Sequence, residues 1–226
     1  MNAEAEVTKP KEPGTFRLIF TLGFAGLVAG LLLVGVYLGT LDRIHHNQDE
    51  ALKKAVYKVV PGSKEMQKLV WSGDKLVTDP KAKGEAVYAA YDANGKFMGY
   101  AIPGEGPGFQ DTVKLIYGFD PVKRVIIGMA VLESRETPGL GDKIDKDAAF
   151  KANFEALAVE PDVVAVKHGT KTAPNQIDAI TGATISSKAV GKIISHTDSI
   201  WLPRLPPAGQ EPAYEGAKAP AQGGAK

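Results

Sequence analysis

The feature that most constrains this chain is an uncharged apolar run near its N-terminus. The run LIFTLGFAGLVAGLLLVGVYL occupies residues 18–38. As an α-helix it extends about 31 Å, close to the hydrocarbon thickness of a lipid bilayer. We therefore predict a transmembrane anchor over residues 18–39, preceded by a polar N-terminal tail over residues 1–17.

Two other interpretations of the apolar run agree less well with its length and flanks. A secretory signal peptide has a shorter apolar region, about 7–15 residues, followed by a small-residue cleavage site. Here the run is longer and is followed by GTLDRIHH. A buried core helix of this length would need a much larger protein around it, so we favour an uncleaved membrane anchor.

The flanking charges bear on the orientation of the anchor. Three basic residues precede it and four follow within twenty positions: Lys9, Lys11, Arg17, then Arg43, Lys53, Lys54 and Lys58. Because basic residues favour the cytoplasmic side of a membrane, this near balance does not decide the orientation. We expect the N-terminus inside and the following domain outside.

Glycines in the anchor are spaced in two GxxxG pairs, Gly26 with Gly30 and Gly35 with Gly39. At about 100° per residue, the second pair lies roughly opposite the first on the helix. Small residues allow membrane helices to approach closely. The pattern is consistent with a helix between two membrane neighbours, although glycine is also common in membrane helices generally.

Composition excludes several function classes. The 226 residues include 27 basic and 26 acidic side chains, a balance that gives no basic surplus for binding nucleic acid. The chain has no cysteine, which excludes disulfides, cysteine-bound zinc and iron–sulfur clusters. Its four histidines are too scattered to propose a metal site. Any redox group that it carries must therefore be organic.

Residues 42–201 predict an α+β domain with a largely antiparallel sheet and flanking helices. Helical periodicity occurs at 49–62, 145–157 and 185–201; strand patterns occur at 86–92, 96–102, 112–120, 124–133, 163–167 and 176–180. Short turns between successive strands argue against a doubly wound parallel sheet. Residues 203–226 are rich in Pro, Ala and Gly, and we expect them to be disordered or to lie on a partner.

One segment has the character of a phosphate site. In DAITGATISSK, residues 178–188, a strand ends, a glycine turn follows, and hydroxyl residues begin a helix. A helix start presents unpaired N–H groups and the positive end of the helix dipole to an anion. A plain Thr or Ser N-cap explains the same pattern equally well, so the residues alone leave both possibilities open.

Two further loops contain glycine. ESRETPGLGDK, residues 133–143, lies between a predicted strand and a predicted helix, and it is either a binding loop or an ordinary turn with solvated charges. PGEGPGF, residues 103–109, lacks the lysine of a P-loop and the third glycine of a dinucleotide fingerprint, so we predict a turn.

These segments together carry a resemblance. An N-terminal anchor, a series of strands, ETPGLG at 136–141 and DxxTGATxSS at 178–187 follow one another. In this order they resemble the FMN-binding G subunit of the Rnf ion-translocating electron-transport complex. The C subunit of the sodium-pumping NADH:quinone reductase is similar. The likeness extends from residue 16 to about residue 200.

The resemblance implies a covalent flavin. In that family FMN is joined through its phosphate to the last threonine of the TGAT motif, here Thr184, by a flavin transferase. The motif's acidic and hydroxyl positions match Asp178 and Thr181. The resemblance places the ETPGLG loop near the flavin ring. The expected cofactor-binding set is therefore Thr184, Glu136, Thr137, Gly139, Leu140, Gly141, Asp178, Thr181, Gly182, Ala183, Ser186 and Ser187, with no catalytic residue and no metal.

The resemblance also implies a function and a place in the cell. The chain would be an electron-relay subunit of a membrane-bound, ion-translocating ferredoxin:NAD oxidoreductase, in the cytoplasmic membrane with its flavin domain outside. Its partners would be the other membrane and peripheral subunits of the complex. The alternatives are the corresponding subunit of a sodium-translocating NADH:quinone reductase and a flavin-free, membrane-anchored assembly or sensor subunit.

Overall fold

The computed structural model describes residues 14–78 and 84–217. They separate into two compact units, with the boundary between Asp49 and Glu50. The first helix, α1, runs from Thr15 to Val59 and so passes through this boundary. It is the one helix in the described ranges that is long and apolar enough to cross a membrane. The anchor and the helix expected at 49–62 are thus one continuous helix, which ends just before Pro61.

The second unit is built on a seven-stranded sheet in which all neighbouring strands are antiparallel. The strand order is β2-β1-β3-β4-β5-β6-β7. The strands are β1 Glu65–Ser72, β2 Lys75–Val77, β3 Ala86–Tyr91, β4 Phe97–Pro107, β5 Thr112–Asp120, β6 Val125–Glu133 and β7 Leu157–Ala158. Two short strands, β8 Val164–Val166 and β9 Gln176–Asp178, form a separate parallel pair. The predicted α+β class with a largely antiparallel sheet is confirmed.

Helices cover both faces of this sheet. On one face the end of α1 packs through Val56 and Val59 against small residues of the central strands, such as Ala101 and Ala130. On the other face helix α4, Thr184–Trp201, packs through Val190 and other apolar residues onto the larger side chains of the core. Alternate residues of a strand point to opposite faces, so one set of strands serves both layers.

The helix predicted at 145–157 is wrong in its extent. The structure has two short helices, α2 Lys143–Lys146 and α3 Ala148–Ala152, and then strand β7. The break occurs at Asp147, whose backbone is extended and whose side chain accepts a hydrogen bond from the Phe150 amide at 3.0 Å. An aspartate that caps the next helix competes in this way with continuation of the first one.

The turn predicted at 103–109 is also wrong for most of its length, because residues 103–107 belong to β4. Gly104 and Gly106 do not form a turn; they leave space for helix α4 against the strand. A Cβ at Gly104 would lie 2.5 Å from Thr197 Oγ1, and one at Gly106 would lie 2.8 Å from Ile193 Cγ1. Both contacts are to α4, so these glycines allow the helix to approach the sheet closely.

As far as residue 217, the C-terminal segment lies on the domain itself, whereas its composition predicted disorder or contact with a partner. Tyr91 donates its hydroxyl hydrogen bond to the Pro212 carbonyl at 2.6 Å, and Tyr214 donates to Glu65 Oε2 at 2.9 Å. The rings of Tyr91 and Tyr214 lie 5.1 Å apart. The composition of the segment did not predict this contact, because one aromatic residue, Tyr214, attaches a segment that otherwise consists mostly of small residues. Residues 218–226 lie outside the described part of the chain.

Candidate functional site

A cavity of about 330 Å³ forms where the loop after β6 meets the start of α4. Thr184 lies in its wall as the first residue of the helix. The other lining residues are Phe109, Thr137, Leu140, Gly141, Gly182, Ala183, Ile185 and Ser186. The structure thus brings parts of the two sequence motifs, which are about forty residues apart in the chain, into one site.

The first turn of α4 is open to an anion. Gly182 adopts a positive φ of 84°, which reverses the chain before the helix, and the N-cap residue Ala183 has no side chain able to cap. Within the described residues, the backbone amides of Thr184, Ile185 and Ser186 have no protein acceptor. Unpaired amides at a helix N-terminus bind phosphate. Of the two possibilities left open by the sequence, a Thr or Ser N-cap is not what the structure shows.

Ser187 stabilises the turn that precedes the helix. Its hydroxyl accepts a hydrogen bond from the Ile180 amide at 3.0 Å and donates to the Ala183 carbonyl at 2.9 Å. The side chain is fully buried and is absent from the cavity wall. In the structure this serine holds the backbone around Gly182 in place.

Glu136 is the buried member of the ETPGLG loop, with 5% of its surface exposed. Its Oε1 accepts hydrogen bonds from the backbone amides of Phe109, at 2.8 Å, and Gln110, at 3.1 Å. Its Oε2 accepts a short hydrogen bond from the Ser186 hydroxyl. Burial raises the pKa of Glu136, but the hydrogen bonds from Ser186 and the two amides outweigh it and hold the pKa below its usual value. The side chain is therefore a carboxylate at neutral pH.

Asp178 and Thr181 line a neighbouring cavity of about 290 Å³ instead. Asp178 accepts a hydrogen bond from the Gly169 amide at 3.2 Å, and its own amide donates to Asn153 Oδ1 at 3.0 Å. Lys143 and His168 also line this second cavity. The DxxTGAT motif is therefore divided, with its first half facing one cavity and its second half the other.

The remaining predicted site residue, Gly139, lies at the exposed tip of the ETPGLG turn with a φ of 78° and does not line either cavity. Two lining residues were missed by the sequence reasoning, Phe109 and Ile185. Phe109 has 62% of its surface exposed, and Ile185 is also largely exposed. A large apolar residue directly after a Pro-Gly pair, and another within a run of hydroxyl residues, were the available signals.

The residues around the first cavity fit a cofactor such as FMN. The unpaired amides at Thr184 suit a phosphate, and Phe109, Leu140 and Ile185 present apolar surface to a planar ring. Binding sites of this kind are mostly apolar with a few placed polar groups. No side chain that lines the cavity carries a negative charge that would repel a phosphate.

Comparison with known proteins agrees with this interpretation. Residues 108–197, which contain both motifs, match the FMN-binding domain family. The chain is 30% identical over 190 residues to the G subunit of the ion-translocating oxidoreductase complex of Methanosarcina acetivorans, covering 84% of this chain and 92% of that protein. It is 29% identical over 197 residues to the G subunit of the Na⁺-translocating ferredoxin:NAD⁺ oxidoreductase complex of Acetobacterium woodii, covering 81% and 91%.

Two solved structures share the fold. NqrC of Shewanella oneidensis is 19% identical, with a TM-score of 0.54, and the match covers 66% of this chain and 90% of that one. The C subunit of the Na⁺-translocating NADH-quinone reductase of Parabacteroides distasonis is 22% identical, with a TM-score of 0.56, covering 71% and 94%. At these identities the likeness shows a common fold.

Proposed function

Because this chain belongs to the family of G subunits of ion-translocating oxidoreductase complexes, we propose that it relays electrons in such a complex through FMN joined to Thr184. The observation that carries the proposal is the placement of Thr184. Its side chain is exposed at the uncapped start of α4, in a cavity shared with the ETPGLG loop. When bound, FMN supplies one- and two-electron transfer, while the protein fixes its position and environment.

The residues of the chain would divide this work. Thr184 provides the Oγ for a phosphoester, and the amides of residues 184–186 donate hydrogen bonds to the phosphate oxygens. Phe109, Leu140 and Ile185 limit the access of water to the ring. Gly139, Asp178, Thr181 and Ser187 do not line this cavity and would act on backbone geometry or on recognition by the modifying enzyme. A flavin transferase would form the ester by moving the FMN group from an activated flavin phosphoanhydride to Thr184. The Oγ–P bond forms as the phosphoanhydride P–O bond breaks, the hydroxyl proton is released, and the other phosphate half of the donor leaves. The chain thereby gains the mass of FMN less one water.

The parts of the chain would then have distinct roles. Residues 18–39 anchor it in the membrane, residues 42–201 carry the flavin on the outer side, and residues 1–17 remain inside. The likeness of the relatives to this chain over most of its length supports a place beside the other subunits of a complex. The acceptor of the electrons would be one of those subunits.

Substitution of Thr184 tests the proposal. We expect Thr184→Val, produced together with a flavin transferase, to lose all covalent flavin while remaining folded, because valine keeps the β-branched shape but has no hydroxyl. The measurement is flavin fluorescence after denaturing electrophoresis, together with intact mass. The unaltered chain should gain the mass of FMN less one water.

Thr112→Val is the matched control, since Thr112 is also an exposed threonine at the start of an element, strand β5. This variant should retain the fluorescent band. Covalent flavin on the Thr184→Val chain would contradict the assignment, and a dark band from the unaltered chain would contradict covalent attachment altogether.

A further inference from the structure

Glu136 joins two segments of the chain through its buried carboxylate. Its Oε1 accepts hydrogen bonds from two amides of the turn between β4 and β5, and its Oε2 accepts one from the Ser186 hydroxyl in the first turn of α4. The two oxygens therefore link residues that are 76 positions apart, Gln110 and Ser186. Charge-assisted hydrogen bonds of this type are stronger than those between neutral groups.

Two glycines make room for the carboxylate. A Cβ at Gly141 would lie 2.5 Å from Glu136 Oε2, and a Cβ at Gly108 would overlap Oε1. Gly141 lines the cavity at Thr184, as do Phe109 and Ser186, but Glu136 does not. The carboxylate thus lies behind the cavity wall, bonded to the residues that form it.

We infer that Glu136 is a positioning residue, which ties the turn carrying Phe109 to the first turn of α4 and so sets the shape of the cavity at Thr184. The acidic side chain acts through the wall and does not touch the flavin. The effect of Glu136 on the cofactor rests on the proposed function, whereas the link that its hydrogen bonds form between the Phe109 turn and α4 does not. The competing possibility is that Glu136 turns outward and contacts the flavin directly.

Hydrogen exchange in the flavin-free, full-length protein separates these possibilities. Glu136→Ala removes both acceptors, so the amides of Phe109 and Gln110 should exchange faster by roughly tenfold or more. Amides in the β3–β4 ladder should be unaffected. Glu136→Gln keeps one carbonyl acceptor at the same reach and should restore part of the protection. It also provides a test if the alanine variant does not fold.

The matched control is Glu133→Gln. Glu133 lies three residues earlier, is half-exposed, and forms an ion pair with Lys114 at 3.0 Å. This variant should exchange like the unaltered chain. If the amides of residues 109 and 110 exchange equally in Glu136→Ala and Glu133→Gln, the tie does not exist and the inference is overturned.

The flavin-loaded protein tests the consequence. We expect iodide to quench the flavin fluorescence of Glu136→Gln several times more strongly than that of Glu133→Gln, because a loosened Phe109 turn uncovers the ring. Faster exchange without a change in quenching would overturn the role at the cofactor. Changed flavin spectra with normal exchange in the flavin-free chain would instead show direct contact. If neither the unaltered chain nor Glu133→Gln acquires flavin, the proposed function is wrong. The hydrogen-exchange result still tests whether Glu136 links the Phe109 turn to α4.

Discussion

Asp198 lies on the buried face of α4, with 5% of its surface exposed. Its Oδ1 accepts a hydrogen bond from the Tyr117 hydroxyl at 2.7 Å, while its Oδ2 is buried without a partner among the described residues. Burial raises the pKa of Asp198 to about 7. Burial also raises the pKa of Tyr117 well above its usual value, which keeps its hydroxyl as the donor. The Asp198 carboxyl group is therefore partly protonated near pH 7, while Tyr117 keeps its own proton.

This carboxyl group should make the stability of the domain depend on pH. Its pKa is higher in the folded than in the unfolded chain, so the folded state binds the additional proton and loses stability as pH rises from about 4 to 7. Each tenfold difference in acid dissociation between the folded and unfolded chain corresponds to ~1.4 kcal/mol. The change in pKa from about 4 to about 7 therefore gives a total loss of about 4 kcal/mol in the free energy of unfolding. We expect Asp198→Asn, which stays neutral, to remove most of this slope in denaturant midpoints measured from pH 4 to 8.

Asp74→Asn is the control for this series, because Asp74 is an exposed carboxylate in the turn between β1 and β2. Its pH profile should follow that of the unaltered chain. A profile for Asp198→Asn that is parallel to the unaltered one would show that Asp198 titrates normally.

At the scale of elements, the end of α1 is part of the hydrophobic core of the second unit. The last turn lies so close to the sheet that a Cβ at Gly128 would approach the Val59 carbonyl oxygen to 2.8 Å, and one at Gly118 would overlap it. Val56, Val59 and Val60 are fully buried there. This part of the helix therefore belongs to the second unit, although it continues the apolar helix that precedes it.

Two truncations test this division. A chain that begins at Glu50 keeps the buried valines and should remain folded without the apolar helix. A chain that begins at Pro61 loses them and exposes their partners, Ala101 and Ile116 among others. At about 1.5–3 kcal/mol for each of the three buried valines, the shorter chain should be at least ~4.5 kcal/mol less stable. Equal denaturant midpoints for the two chains would show that the end of α1 is not part of the core.

Sequence patterns predicted the elements that have strong local signals. The hairpin around Ala93-Asn94-Gly95 and helix α4 match the structure because turn residues and helical periodicity act over a few positions. Strands β1 and β2 were missed, because their alternation is irregular and the pairing of β1 with β2 and β3 is set by the sheet. The functions of Gly104 and Gly106 depend on α4, about ninety residues later, and no local pattern contains that contact.

The candidate site was predictable to a similar degree. The resemblance assigned Thr184 and the ETPGLG loop to the same flavin, which implies that they lie close together, whereas the local residue pattern does not predict this proximity. The division of the DxxTGAT motif between two cavities depends on how α2, α3 and the β8–β9 pair fold around Asp178. The enclosure of Glu136 likewise depends on the Gly108 and Gly141 backbones.

At the scale of the whole molecule, the proposal requires residues 1–17 and residues 42–201 to lie on opposite sides of a membrane. The balanced flanking charges leave the orientation to experiment, and a chain without cysteine is well suited to one. Val122 lies in the turn between β5 and β6 with 74% of its surface exposed. We expect Val122→Cys to react with a membrane-impermeant maleimide in intact spheroplasts, whereas Thr8→Cys, ahead of the apolar helix, should react only after permeabilisation. The reverse pattern would place the flavin domain inside, where a covalent tether would no longer be needed to keep FMN from being lost outside the cell.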